Sequence, residues 1–203
     1  PLQKNKYNCE DVEHYDYNPE KAQEILEAAG CTRNSDGFYE RDGEEIGFVI
    51  SVMSGEQDRI DIAQAAAQQL RETGINCTVE IPAQMDWGGQ MACLIGWGSP
   101  FDADDHTYKV FGTDKGANYS GYSNEKVDEY LTLARQYEDQ ETRAKYYDLF
   151  QEELAKDPAY AFICYIDANY VADSDIKGIS EKTVLGHHGV GIFWNIQEWE
   201  IVK

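Results

Sequence analysis

The sequence predicts an α/β protein, chiefly because a strand, a helix and a second strand follow one another with short links. Residues 48–53 form an apolar segment of strand length, and apolar residues alternate with polar ones over 75–81. Between them, Ile60, Ala63 and Ala67 mark one face of an amphipathic helix. We therefore expect a βαβ unit with parallel strands and a right-handed crossover.

The segment before this unit is predicted to form a helix and a small hairpin. Asn18 is suited to cap the helix, the proline after it fits the first helical position, and Gly30 is placed to stop it. Two Asp-Gly turn signals flank residues 38–41, so we expect a hairpin there.

The second half is predicted to contain a strand at 91–95, a pair of helices and two further strands. The link over 82–90 is too short for another full helix. Ser123 or Asn124 is suited to cap the first helix of the pair, and Asp139 the second. The helix pair is placed at 124–156, the strands at 161–166 and 170–172, and an aromatic-rich end at 192–202.

Charge excludes some classes of partner. The 17 Lys and Arg residues are outnumbered by 38 Asp and Glu residues, which gives a formal charge of −21 with no basic block. Binding to a phosphate backbone needs a basic surface, so nucleic acid and anionic membranes are poor partners. No run approaches the length of a membrane-spanning helix, and residues 1–5 lack the pattern of a signal peptide.

The five cysteines are odd in number, widely spaced and without a Cys-x-x-Cys pair. This pattern disfavours a disulfide framework and a zinc site, while one disulfide remains open. The cysteines are Cys9, Cys31, Cys77, Cys93 and Cys164.

The predicted ligand site follows the apolar run 91–95. That run breaks into Gly-Trp-Gly and then into a segment dense in aromatic and acidic residues. Ligands of α/β proteins usually lie past the carboxyl ends of strands, where glycines allow close approach. The alternative is that Trp97 is a core residue and 102–105 a solvated turn. The predicted ligand-binding residues are Gly96, Trp97, Gly98, Ser99, Phe101, Asp102 and His106.

Histidines and carboxylates raise the question of a metal site. Imidazole and carboxylate suit nickel or zinc, but the spacing of a site built from protein ligands alone is missing, so neither a metal site nor a cofactor is predicted. The acidic loop also lacks the glycine and the distant glutamate of an EF-hand. The residues considered as metal ligands are His106, His187, His188, Asp102, Asp104 and Asp105.

A small α/β hydrolase with a cleft near Trp97 is the alternative of another class. The sequence around Ser123 is not a Gly-x-Ser-x-Gly elbow, and that serine is better explained as a helix cap. Paired carboxylates of the glycosidase type remain open, because acidic residues are abundant throughout.

Short motifs occur in a characteristic order between Tyr17 and Gly178. They are Tyr17-Asn18-Pro19-Glu20-Lys21-Ala22 with Ala29-Gly30, Gly74-Ile75, Gly96-Trp97, Tyr122-Ser123-Asn124-Glu125-Lys126-Val127-Asp128, Asp139-Gln140-Glu141-Thr142-Arg143 and Asp157-Pro158. In this order they resemble family 5 of the extracellular solute-binding proteins, which serve peptide and nickel ABC transporters.

The resemblance implies a lobe of the type II periplasmic-binding-protein fold, with a mixed sheet flanked by helices. The chain would be the C-terminal lobe of a two-lobed protein that traps its ligand by hinge closure. Residues 1–19 would enter from the other lobe, 20–180 would form the binding lobe, and 181–203 would return.

The function implied is non-enzymatic capture of a small peptide or similar polar solute for an ABC importer, with a chelated-nickel binder as the alternative within the family. Permease subunits would be partners, and the protein would be a monomer. It would lie outside the cell membrane or in the periplasm, held by a lipid anchor that is not in this chain.

Two departures from the family pattern bear on the ligand. Members commonly carry a helical segment between the equivalents of Ile81 and Met91, where this chain has a short turn. Peptide-binding relatives place an acid close behind the tryptophan to take a peptide's amino group, whereas here the first acid is Asp102. The amine anchor is therefore not carried over to this chain, and a displaced anchor at Asp102 is a hypothesis. The segment 97–102 is closer to the Trp-Gly-x-Pro-Tyr-Asp arrangement of the nickel-binding branch.

Overall fold

The computed structural model describes Leu2 and residues 6–97, 102–166, 169–180 and 191–202. The chain divides into two compact units, one of Tyr15–Gly96 and one of Pro1–His14 with Trp97–Lys203. Each unit has its own cluster of buried side chains. The boundaries 1–19, 20–180 and 181–203 stay a prediction. No helix among the described residues is long and apolar enough to cross a membrane.

The Tyr15–Gly96 unit begins with helix α1 (Pro19–Ala28), as predicted. The Asn18 side chain accepts a hydrogen bond from the Lys21 amide at 2.9 Å, which satisfies a donor of the first turn. An antiparallel meander of β1 (Thr32–Arg33), β2 (Tyr39–Arg41) and β3 (Glu44–Glu45) follows. The predicted hairpin is therefore present, with a third short strand.

The predicted βαβ unit is confirmed. Strand β4 (Gly47–Ser51) pairs in parallel with β5 (Asn76–Glu80), from Gly47 opposite Asn76 to Ser51 opposite Glu80. Helix α2 (Gln57–Thr73) joins them, and Gly74 ends it in the left-handed conformation with φ +107°. Strand β6 (Ala92–Cys93) pairs with β4 on its other side, giving the order β5-β4-β6. The predicted strand at 91–95 is thus shorter than expected.

The second unit is built on helices. α3 spans Asp104–Phe111, α4 Glu125–Gln136 and α5 Gln140–Lys156, so the predicted helix pair is confirmed. Asn124, one of the two predicted caps, accepts from two amides of the first turn of α4, and Asp139 accepts from the Thr142 amide. Buried side chains from all three helices form the core, chiefly Ala103, Val110, Phe111, Val127, Leu131, Ala134, Tyr147, Phe150 and Leu154.

The segment at residues 6–9 docks on α5 through a buried glutamine. The Gln151 side chain donates to the Tyr7 carbonyl at 2.8 Å and accepts from the Cys9 amide at 3.3 Å. The Tyr7 ring lies 4.8 Å from that of Tyr147. These contacts fix this segment against the core of its unit.

The two strands predicted after the helix pair need correction. The strands predicted at 161–166 and 170–172 do not form in the described residues, whose apolar side chains are exposed, Val171 at 99%. The composition of these two segments favours strands, but a strand also needs a neighbouring strand to pair with. Pairing occurs further along the chain, where β7 (Ile176–Lys177) pairs with β8 (Glu200–Ile201). A 3-10 helix, Gly191–Glu198, occupies much of the aromatic-rich end. The solvated turn considered for 102–105 leads into α3.

Candidate functional site

The predicted site residues fall in different parts of the structure. Gly96 is the last residue of the Tyr15–Gly96 unit, and Trp97 belongs to the other unit. In that other unit, Asp102 lies just before α3 and His106 lies within it. Gly98, Ser99 and Phe101 lie outside the described residues.

Gly96 has the Arg59 guanidinium directly against it. A Cβ at this position would lie 2.8 Å from Arg59 Nη2, closer than side chains tolerate. Arg59 also pairs with Glu56 at 3.0 Å, which fixes the guanidinium on the first turn of α2. A larger residue at this position would therefore have to displace the Arg59 guanidinium.

Trp97 is the centre of a partly exposed aromatic surface, which we call the Trp97 surface and define as Trp97, His106 and Tyr119. The indole stacks on the Tyr119 ring at 6.1 Å and 11°, and the His106 ring lies 5.6 Å away. Trp97 is 39% exposed and Tyr119 41% exposed. Such rings offer an apolar face for a ligand and an electron-rich face for a cationic group.

Tyr119 was missed by the sequence analysis. It lies in a turn held by Asn118, whose amide donates to the carbonyls of Gly112 at 3.0 Å and Tyr122 at 2.7 Å. Asn118 also accepts from the Tyr122 amide at 3.1 Å. The turn chemistry was visible in the sequence, but the partner of Tyr119 is 22 residues away in the chain.

His106 is a half-buried residue of α3. Its Nε2 atom is 3.7 Å from a carboxylate oxygen of Asp105, which in turn pairs with Lys109 at 3.1 Å. Three or more potential metal ligands do not gather anywhere in the part of the chain that the structure describes. The candidates His187 and His188 lie outside that part.

Asp102 is bound by a guanidinium. Arg143 Nη1 donates to Asp102 Oδ2 at 3.1 Å and Nη2 donates to Oδ1 at 2.7 Å. These bonds hold the pKa of the Asp102 carboxyl below its usual value. The negative charge is therefore compensated within the protein, which disfavours the role of amine anchor for Asp102.

Asp104, two residues on, has the opposite electrostatics. Burial raises its pKa above the usual value, although Arg135 Nε lies 3.1 Å from Oδ1 and acts the other way. A cavity of about 490 Å³ is lined by both Asp–Arg pairs together with Tyr137 and Glu138. The charges of these two Asp–Arg pairs are therefore compensated within the chain.

The family model described as "Bacterial extracellular solute-binding proteins, family 5 Middle" matches residues 1–119. The oligopeptide-binding protein AppA of Bacillus subtilis is 27% identical over 218 residues, which cover 100% of this chain and 38% of AppA.

Two solved structures have the same fold. NikZ from Campylobacter jejuni, in complex with Ni(L-His), is 37% identical with a TM-score of 0.86, over 98% of this chain and 42% of NikZ. AppA from B. subtilis, in complex with a nonapeptide, is 24% identical with a TM-score of 0.76, over 98% of this chain and 40% of AppA. The chain therefore spans about two fifths of each relative's length. The predicted type II periplasmic-binding-protein fold is confirmed, and these relatives give the hydrolase alternative no support.

Proposed function

This chain belongs to the bacterial extracellular solute-binding proteins of family 5, and from that membership we propose that it forms the C-terminal lobe of the substrate-binding component of an ABC importer. The solute is a small peptide or a similar polar molecule. The single observation that carries the site is the stack of two partly exposed rings, Trp97 and Tyr119, beside the His106 imidazole. An exposed aromatic pair of this kind provides contact area that a soluble protein otherwise buries.

A chelated nickel ion is the second candidate. The likeness to NikZ is the stronger of the two structural likenesses, and the His106 ring lies beside Trp97 with its Nε2 3.7 Å from a carboxylate oxygen of Asp105. A chelate that brings its own ligands would need few from the protein, and one imidazole is suited to that role. A peptide and a chelate would use the same Trp97 surface.

The remaining parts of the proposal follow from the family. We expect the protein to act outside the cell membrane or in the periplasm, to be held there by a lipid anchor, and to work as a monomer that delivers its solute to permease subunits. We expect binding without turnover. The residues Gly98, Ser99, Phe101 and Asp102 stay proposed ligand contacts, and Asp102 is the weakest of them because Arg143 already occupies its carboxylate.

Calorimetry on the whole protein that contains this chain tests the proposal. The probes are a set of di- to nonapeptides and nickel(II) with L-histidine. Trp97→Ala is expected to weaken the probe that binds by at least about tenfold, as expected for a central aromatic contact. The matched control is Trp87→Ala, because Trp87 is also partly exposed but lies outside the Trp97 surface.

Two outcomes contradict the proposal. One is equal loss of affinity in the two tryptophan variants, which would remove the special role of Trp97. The other is conversion of a peptide probe to products, which would make the protein an enzyme. The chain alone is expected to bind its probe weakly, because it retains only part of the contacts while the association entropy is still lost.

A further inference from the structure

We propose that Arg143 is a positioning residue, which sets the geometry of the Trp97 surface by holding Asp102 at the start of α3. This inference rests on the proposed function, since it assigns Arg143 a role at that ligand site. Arg143 lies on α5, in the first turn after the Asp139 cap.

The guanidinium joins three parts of the unit. Its two Nη atoms bind the Asp102 carboxylate side by side, and its Nε donates to the Ala134 carbonyl in the last turn of α4 at 3.2 Å. Nη2 also lies 3.4 Å from the Tyr147 hydroxyl. A planar fork of this shape is what a paired contact with a carboxylate requires, and a lysine cannot reproduce it.

The position of Arg143 is itself fixed by its surroundings. Its side chain is 16% exposed, and the guanidinium carbon lies 5.3 Å from the centre of the Tyr7 ring and 5.7 Å from that of Tyr147. Tyr7 is held in turn by the buried Gln151 side chain. The guanidinium is therefore a rigid anchor, unlike a typical surface arginine that samples many rotamers.

Asp102 links this fixed guanidinium to the start of α3. Its Oδ1 atom accepts a hydrogen bond from the Asp104 amide at 2.9 Å, and its carbonyl accepts from the Asp105 amide at 3.2 Å. These bonds satisfy donors of the first turn of α3. His106 follows in that turn, with its ring against Trp97. Movement of Asp102 would therefore turn the start of α3 and displace the imidazole from the indole.

A neighbouring ion pair supplies a matched control. Arg135 on α4 binds Asp104 at 3.1 Å, and its guanidinium lies 4.0 Å over the Tyr108 ring. This pair, like Arg143 with Asp102, therefore links an arginine to an acidic residue near the start of α3. Asp104, however, lies within the helix and makes no cap. If Arg143 acted only by general stabilisation, the loss of Arg135 would have a similar effect on the Trp97 surface.

The test uses the whole protein labelled with 5-fluorotryptophan and read by fluorine NMR without ligand. The resonances of the four tryptophans in this chain are assigned by single Trp→Phe variants. Arg143→Lys is expected to shift or broaden the Trp97 resonance by more than its linewidth and to leave that of Trp87 in place. Arg135→Lys is expected to leave the Trp97 resonance unchanged. Arg143→Lys added to Asp102→Asn is expected to cause little further shift, because the two residues act through one contact.

Calorimetry with nickel(II)–L-histidine and an alanine-rich nonapeptide completes the test. The probe that binds wild type is expected to bind Arg143→Lys roughly tenfold more weakly and Arg135→Lys with unchanged affinity. An unshifted Trp97 resonance in Arg143→Lys, or an equal shift in Arg135→Lys, would overturn the inference. If neither probe binds wild type, the proposed ligands fail, while the ligand-free spectrum still decides the role of Arg143.

Discussion

Replacing Asp102 by asparagine removes one charge and keeps the shape of the side chain. The amide oxygen can still accept from the Asp104 amide, so the change is confined to the pairing with Arg143. Arg143 is largely buried but the Asp102 side chain is 53% exposed, so solvent screens the pair. We therefore expect a loss of about 1 kcal/mol in the free energy of unfolding at pH 7, the upper range for exposed pairs.

The pH dependence of this loss has a definite sign. Arg143 lowers the pKa of Asp102 in the folded state below the value of about 3.9 found in unfolded chains. The stabilisation is therefore complete above the unfolded pKa and disappears as the pH falls through the folded pKa. The difference between wild type and Asp102→Asn is expected to be constant between about pH 5 and 7 and to shrink below about pH 4.

This difference is measured by urea denaturation at pH 7, 5, 4 and 3, with amide exchange within α3 as the readout. Exchange within α3 is chosen because the two compact units need not unfold together. Equal stability of the two proteins at pH 7 would show that the pair contributes nothing. A difference that persists unchanged at pH 3 would show that it does not arise from the Asp102 charge.

The remaining predictions concern charge, backbone and ligand. Asp104→Asn is expected to leave stability at pH 7 unchanged or to raise it, because burial raises the pKa of Asp104 and its ionised form opposes folding at higher pH; denaturation at pH 7 and 4 measures this. Gly74→Ala is expected to lower stability by about 1 to 2 kcal/mol in thermal unfolding, since it adds left-handed strain and a clash with the Arg33 guanidinium, while Gly37→Ala adds only the strain. If a peptide binds, Asp102→Asn is expected to weaken the free and the N-acetylated peptide equally in calorimetry, and a selective loss for the free amine would restore Asp102 as the anchor.

Local signals made much of the first unit predictable. The βαβ unit was visible in the periodicity of residues 48–81, and Asn18 marked the start of α1 through its own capping chemistry. These features depend on a residue and its near neighbours in the chain, so they can be predicted from a short stretch of sequence. The same holds for the caps of α4 and α5.

Helix α3 shows a signal that was present but misread. Asp102 before two further acids is typical of a helix start, and Thr107, Val110 and Phe111 lie at helical spacing on its buried side. Proline and aspartate in the preceding residues favoured a turn instead. The strands expected at 161–166 and 170–172 failed for another reason, because strand pairing depends on residues far away in the chain.

The candidate site was only partly predictable for the same reason. Trp97 was placed at the predicted ligand site, and its 39% exposure disagrees with the alternative of a core residue. Tyr119 and Arg143 reach Trp97 and Asp102 across 22 and 41 residues of chain, respectively. No local pattern marks such partners, and they emerge only when the helices pack.

The central claim is that the Trp97 surface contacts the solute, and a fluorine NMR titration of the labelled whole protein tests it most directly. On addition of the probe that binds by calorimetry, the Trp97 resonance is expected to shift and to saturate with the same dissociation constant, while that of Trp87 stays in place. Saturable binding that leaves the Trp97 resonance unmoved would contradict the account and place the solute elsewhere.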